Sequence, residues 1–131
     1  MIEKKKEFKY KDQTVEELKN LEVREFAKLV KSRTRRYLLR NFQEIEGFVN
    51  LAKEKLSKGK KIRTHKRDLV IVPQMIGMEI HIHNGNSFVQ TEITGEMLGH
   101  KLGEFSSTRS KIKHSKAGVG ATKGSKHKSK K

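Results

Sequence analysis

Four arginines crowd the segment KSRTRRYLLR, residues 31–40, and arginine is the side chain best suited to holding phosphate. Its guanidinium presents a rigid fork of N–H donors that matches a phosphate group. Helical spacing would place Arg33, Arg36 and Arg40 on one face, because residues three and four apart are neighbours on a helix. The segment contains no acidic residue to balance them. The cluster therefore favours phosphate binding over the alternative, an ordinary solvated helix face.

Other candidates for chemistry are weaker. His81 and His83 project from one face of a predicted strand, and His100 could join them, so a metal site is imaginable. Without an identified carboxylate or thiol partner, an exposed strand face or an RNA contact explains them better. The run GVGATKG, residues 118–124, lacks the spacing of a phosphate-binding loop. The chain also has no cysteine. We expect no catalytic residue, no metal and no cofactor.

The positive charge is unevenly distributed along the 131 residues, whose net charge is +16. Lys and Arg minus Asp and Glu gives 8 − 7 = +1 for residues 1–30 and 13 − 3 = +10 for residues 31–67. Residues 68–105 give 1 − 5 = −4, and residues 106–131 give 9 − 0 = +9. This pattern predicts a folded block between two basic surfaces that bind a polyanion, with nucleic acid ahead of an anionic membrane.

The N-terminal half reads as helical. Thr14 and Glu17 form a capping-box pattern, and the apolar spacing that follows slips near Asn20, which indicates two short helices with a break. From Leu38 to Leu56 apolar residues recur every three or four positions, and Gly59 ends the series. We interpret that series as one long helix.

The next part reads as strands. LVIVP, residues 69–73, resembles a short apolar strand closed by the only proline. MEIHIHNGNSFVQTEI, residues 78–93, alternates like a hairpin around Asn84-Gly85. The stretch MLGHKLGEF, residues 97–105, predicts a short helix capped by Thr94 and stopped by Gly103.

Together these elements predict an α+β fold, with a small antiparallel or mixed three-stranded sheet backed by a helix. We divide the chain into an N-terminal helical extension (residues 1–36), a folded domain (37–109) and a basic extended tail (110–131). The tail is too poor in large apolar residues to fold alone, so we expect it to be disordered until it meets a partner. The start of the chain has no secretory pattern and no apolar run could span a bilayer, so we expect no membrane association and a cytoplasmic location.

The run RDLVIVPQMIGMEIHIHNGNSFVQTEITGEMLGHKLGEFSSTR, residues 67–109, closely resembles the small-subunit ribosomal protein nineteen family. Its matching features, in order, are a strand ending in proline and MIG, the HNG turn, the EMLGHKLGEF helix and the following Thr108-Arg109. The preceding segment FKYKDQTVEELKNLEVREFAKLVKSRTRRYLLR and the later KHSKAGVGAT resemble its archaeal and eukaryotic branch. The lysine-rich ending after Thr122 departs from the tails expected for eukaryotic members.

The resemblance implies a structural, non-enzymatic protein of the small-subunit head. It implies binding to the 3′ major domain of the rRNA, small-subunit protein thirteen as a neighbour, and a C-terminal tail near tRNA at the decoding centre. A free DNA-compacting or chromatin-associated protein is the alternative from another class. The rRNA contacts that we predict are Arg33, Arg35, Arg36, Arg40, Lys60, Lys61, Arg63, His65, Lys66, Arg67, His100, Lys101, Arg109, Lys111, Lys113 and His114. The predicted tail contacts to tRNA or rRNA are Lys116, Lys123, Lys126 and Lys128.

Overall fold

The computed structural model of the chain describes residues 7–114 and residue 118. The first element is a hairpin in which β1 (Lys9–Tyr10) pairs antiparallel with β2 (Gln13–Thr14). Its turn residues Lys11 and Asp12 have φ values of +46° and +67°, the positive angles that a tight two-residue hairpin turn requires.

Two short helices follow the hairpin, as predicted. Helix α1 (Val15–Lys19) begins at a capping box, in which the Glu17 amide donates to Thr14 Oγ1 and the Thr14 amide donates to Glu17 Oε2 at 2.9 Å. Helix α2 (Val23–Phe26) begins at a second box built from Glu22 and Glu25. Each box satisfies amide groups that have no partner inside the helix, so these short helices begin at defined residues.

The long helix predicted from Leu38 onward is wrong in one respect, because the chain breaks at Asn41. Helix α3 (Ser32–Arg40) ends there and α4 (Phe42–Ser57) begins after it. The Asn41 amide side chain donates to the Tyr37 carbonyl at 3.1 Å, and this competition with the backbone is why asparagine favours helix ends. Gly59 follows α4 with φ +63°, consistent with the predicted stop.

A three-stranded mixed sheet lies against α4. Strand β3 (Ile62–Thr64) runs parallel to β4 (Glu79–His83), which pairs antiparallel with β5 (Phe88–Glu92). The predicted hairpin is confirmed, although its loop has four residues and only Gly85, at φ +97°, takes a positive angle.

The prediction of a strand at LVIVP is wrong. Residues 69–72 are buried, but only Val70 forms an isolated bridge, to Lys101, and the third strand of the sheet is β3 instead. The hydrogen bonds of this run go to the chain segment at residues 99–102: the Ile71 amide donates to the His100 carbonyl, and the Leu102 amide to the Leu69 carbonyl.

The predicted helix at MLGHKLGEF is also wrong, since two 3-10 helices, Gly95–Met97 and Leu102–Phe105, replace it. Thr94 makes no side-chain cap, and Gly99 between the two helices has φ +78°, which no continuous helix can accommodate. A further 3-10 helix spans Pro73–Met75.

The core is one cluster that draws on every part of the described chain up to Leu102. It includes Leu18 and Phe26 from the first two helices, together with Ile45 of α4 and Ile80 of β4. The α+β architecture is therefore confirmed, with α4 backing the sheet. Among the helices that the structure describes, none is long and apolar enough to cross a membrane.

Candidate nucleic-acid interface

Helix α3 presents the arginine face that its spacing predicts. Leu38 points into the core, whereas Arg33, Arg36 and Arg40 are exposed. None of these three arginines forms a salt bridge within residues 7–114. Like charges on one helix face repel one another, and no carboxylate among the described residues neutralises these arginines. The face should therefore attract a polyanion.

Arg35 serves a different purpose from its neighbours. Its Nε donates to the Ala27 carbonyl at 3.0 Å and its Nη2 to the Lys28 carbonyl at 2.9 Å. These carbonyls lie at the end of α2, where a helix leaves acceptors without partners. Arg35 therefore holds α3 against α2 and positions the other three arginines.

A cleft of about 180 Å³ lies between α3 and the bridge formed by Val70 and Lys101. Its volume is below the roughly 300–1,000 Å³ of drug-sized ligand sites, and it suits a group as small as a phosphate. Arginine and lysine side chains meet here from distant parts of the sequence. The lining residues are Arg33, Thr34, Arg36, Tyr37, Arg40, Asn41, Val70 and Lys101.

Tyr37 lies at this cleft. The Lys101 Nζ sits 5.4 Å from the centre of the Tyr37 ring, and the Tyr37 hydroxyl donates to Asp68 Oδ2 at 3.5 Å. Burial, with smaller contributions from the nearby carboxylates of Asp68 and Glu44, raises the pKa of Tyr37 to about 12. Tyr37 thus stays protonated at neutral pH and adds no negative charge beside the arginines.

A second basic stretch leads into β3. Lys60, Lys61 and Arg63 are exposed and form no salt bridge within the described residues. Lys66 is also exposed, but its Nζ lies 2.7 Å from Glu44 Oε1, so this salt bridge partly neutralises its charge. The exposed ring of His65 lies against His83 instead of against an acid.

Arg67 is bound internally. Its guanidinium donates to the His83 carbonyl at 2.6 Å, to the Gly103 carbonyl at 2.8 Å and to the Ser106 carbonyl. The Gly103 amide in turn donates to the Arg67 carbonyl at 2.8 Å. This arginine joins the sheet to the last 3-10 helix, so we assign it a positioning role behind the interface.

The predicted contacts from His100 onward differ in their surroundings. His100 Nδ1 lies 2.8 Å from Glu104 Oε2, and this pairing offsets any charge on the imidazole. Arg109, Lys111, Lys113 and His114 are exposed and belong to no regular element. Lys116, Lys123, Lys126 and Lys128 lie outside the described residues.

His81 and His83 have unequal environments. His81 is buried and its Nε2 lies 3.2 Å from Glu79 Oε1, whereas His83 contacts the rings of His65 and Phe88. Within residues 7–114 and residue 118, no three His, Cys, Asp or Glu side chains come close enough to hold a metal ion. The sequence did not predict a role for Phe88, because a two-residue turn at Asn84-Gly85 would not bring Phe88 opposite His83, whereas the four-residue loop of the structure does.

Most of the chain matches the model of a known protein family. The family model for ribosomal protein S19 matches residues 3–114, which is well over half of the chain and includes α3, the cleft and the sheet. The chain belongs to the ribosomal protein S19 family and is a small-subunit ribosomal protein, and this family is structural rather than enzymatic.

Proposed function

We propose that this protein binds the 3′ major domain of the small-subunit rRNA in the head, with the α3 arginines and Lys101 as its central contact. The observation that carries the proposal is the set of three exposed arginines without a carboxylate partner beside that lysine. Structured RNA is recognised mainly through its backbone and shape, so fixed cations on a rigid helix suit it.

Two other basic groups extend the proposed contact. Lys60 and Lys61 precede β3, and Arg63 lies within that strand. The exposed residues 109–114 follow the last 3-10 helix. The tail, residues 110–131, would reach toward decoding-site tRNA, and small-subunit protein thirteen would be a neighbour in the head, with the cytoplasm as the location. These finer assignments rest on the family resemblance and on the acid-free composition of the chain after Glu104.

The test is a salt titration of binding to an rRNA fragment that contains the 3′ major domain. Replacing Arg33, Arg36 and Arg40 with glutamine should reduce the log–log salt slope by about 0.7–0.9 for each contact, or roughly 2–3, because fewer counterions are released when phosphate contacts are lost. The matched control replaces three exposed lysines outside the proposed contact, Lys19, Lys53 and Lys58, and so removes the same charge. Equal slopes for the two triple variants would refute the assignment to α3.

A free DNA-compacting protein would use the same charges without a fixed site. Competition separates the two functions: duplex DNA of equal phosphate content should displace the rRNA fragment poorly if the protein recognises folded RNA. Comigration with small ribosomal subunits in a high-salt gradient supports the rRNA function, and recovery with chromatin or nucleoid supports the alternative.

Crosslinking tests the tail. Photoreactive groups placed in residues 115–131 of translating ribosomes should reach tRNA or decoding-centre rRNA. Crosslinks confined to the solvent side of the head would contradict this part of the proposal.

A further inference from the structure

The outer face of the three-stranded sheet carries a cluster of rings at one end. In the strand register, Arg63 pairs with His81 and His83 pairs with Phe88, so these residues share the face opposite to the buried Ile80 and Ile82. His65, which directly follows β3, joins them. The side chains on one face of the sheet pack into the hydrophobic core, whereas the ring cluster lies on the opposite face.

The three rings contact one another closely. The ring centres of His65 and His83 are 4.3 Å apart with an interplanar angle of 34°, and Phe88 meets them edge-on at 5.2 Å and 4.9 Å. The Arg63 guanidinium lies 5.4 Å from the centre of the Phe88 ring. The two Phe88 distances fall in the range of favourable aromatic pairs, about 4.5–7 Å, and the His65–His83 distance is slightly shorter. The Arg63 distance is within the roughly 6 Å of a cation–π contact. His65 is exposed, and His83 and Phe88 are only partly covered.

Hydrogen bonds hold this end of the sheet in place. His83 Nδ1 accepts from the Gly85 amide at 3.0 Å, which fixes the ring and assigns its hydrogen to Nε2. Asn84 Oδ1 accepts from the amides of Asn86 and Ser87 at 3.0 Å and 2.7 Å. The loop that carries the rings is thus ordered before any partner arrives, which lowers the entropic cost of binding.

Charge on the same face indicates which partner fits. The acidic residues Glu79 and Glu92 lie opposite each other in the strand register at the other end of β4 and β5, where Glu79 also contacts His81. Four residues of strand, roughly 13 Å, separate them from His83. Glu44, near His65, is paired with Lys66. Among the described residues, Arg63 lies at the ring end of this face without a salt-bridge partner, and the carboxylates of Glu79 and Glu92 lie at the other end. The ring end therefore suits a group that combines a flat π-system with negative charge.

We propose that His65, His83 and Phe88, with Arg63 beside them, form a stacking platform for an unpaired RNA base whose phosphate contacts Arg63. The platform rests on the RNA-binding function proposed above and adds the chemical group that this surface recognises. Aromatic side chains stack on any base because every base has a π-face, and arginine adds both a cation–π contact and a phosphate contact.

The experiment uses the full chain and two short single-stranded RNA probes. One probe carries 2-aminopurine at its centre, and the other has an abasic site at that position with the same phosphates. The wild-type protein should bind the base-bearing probe at least about five-fold more tightly, the lower end of base–aromatic stacking, and should quench its fluorescence.

Variants locate the effect. His65→Ala should abolish most of the preference and the quenching, whereas His65→Phe should keep both because it retains a ring. Phe88→Leu should weaken both and preserve an apolar side chain. Gln90→Ala is the matched control, since Gln90 is exposed on the same face of β5 but carries no ring.

The outcomes separate this platform from the general RNA-binding proposal. Equal binding of the two probes, with salt-dependent affinity retained, would overturn the platform and leave rRNA binding intact. A preference for the base that survives in both His65→Ala and Phe88→Leu would also overturn it, because the base would then be held elsewhere. Failure of the wild-type protein to bind either probe or the rRNA fragment would refute both proposals.

Discussion

The substitution Gly103→Ala should destabilise the protein strongly, although it adds a single methyl group. A Cβ at residue 103 would lie 2.9 Å from the Arg67 carbonyl oxygen and 3.0 Å from the Arg67 Cβ. Both atoms belong to a segment tied by the hydrogen bond from the Gly103 amide to that carbonyl, so neither can move alone. Overpacking of this kind costs about 1–3 kcal/mol.

The clash also disturbs the Arg67 guanidinium, whose Nε would lie 3.3 Å from the new methyl group. Hydrogen bonds from a charged group contribute about 1.5–3 kcal/mol each, so weakening one of the three adds to the cost. We expect a total loss of about 2–4 kcal/mol in the free energy of unfolding, a large part of the roughly 5–15 kcal/mol typical of a domain.

Gly47→Ala is the matched control because the same methyl group meets nothing within 4 Å there. Gly47 lies inside α4, where alanine is more favourable than glycine by about 0.8–1.0 kcal/mol, so this variant should be more stable than the wild type. Urea unfolding followed by circular dichroism at constant ionic strength measures both variants. A Gly103→Ala protein within about 0.5 kcal/mol of the wild type would refute the packing argument, since that is the range of ordinary surface changes.

Three further predictions concern single side chains. Because the folded pKa of Tyr37 is raised to about 12, the unfolded chain loses this proton first, and stability should fall as pH rises from 10.0 toward about 12; Tyr37→Phe should remove that component, measured as the difference between the two unfolding curves. The pKa of Glu17 is lowered by the backbone and side-chain hydrogen bonds of Thr14, so Glu17→Gln should cost most stability above the ordinary pKa of 4.5, and the difference should shrink as pH falls below it; a pH-independent difference would argue against the capping box as its source. Arg67→Lys keeps the charge but loses the planar guanidinium, so urea unfolding should show a loss of about 1.5–3 kcal/mol in the free energy of unfolding. An unchanged free energy of unfolding would mean that the guanidinium contacts to the three carbonyls do not stabilise the fold.

Features that depend on neighbouring residues were predictable from the sequence. The capping box at Thr14 and the hairpin around Gly85 are set by residues within a few positions of each other, and both are present. The break at Asn41 was not predictable from spacing, because the apolar period continues across it. Strand β3 was missed because its pairing with β4 is parallel and joins distant parts of the chain.

In the candidate site, too, local patterns were predictable from the sequence and tertiary contacts were not. Arginine clustering predicted the exposed face of α3, since helical spacing alone determines it. The sequence could not show that Arg35 and Arg67 bond to carbonyls inside the protein, because those acceptors reach them only through the tertiary fold. The ring cluster likewise depends on the register that brings Phe88 opposite His83 and on β3 lying beside them.

The three carbonyl contacts of Arg67 also limit how early the fold can be completed during synthesis. Two of its partners, Gly103 and Ser106, lie 36 and 39 residues later in the chain. During synthesis Arg67 therefore emerges long before these acceptors, and non-local contacts of this kind form only after the intervening chain is present. The fold can therefore close around this arginine only after residue 106 has left the ribosome that makes it.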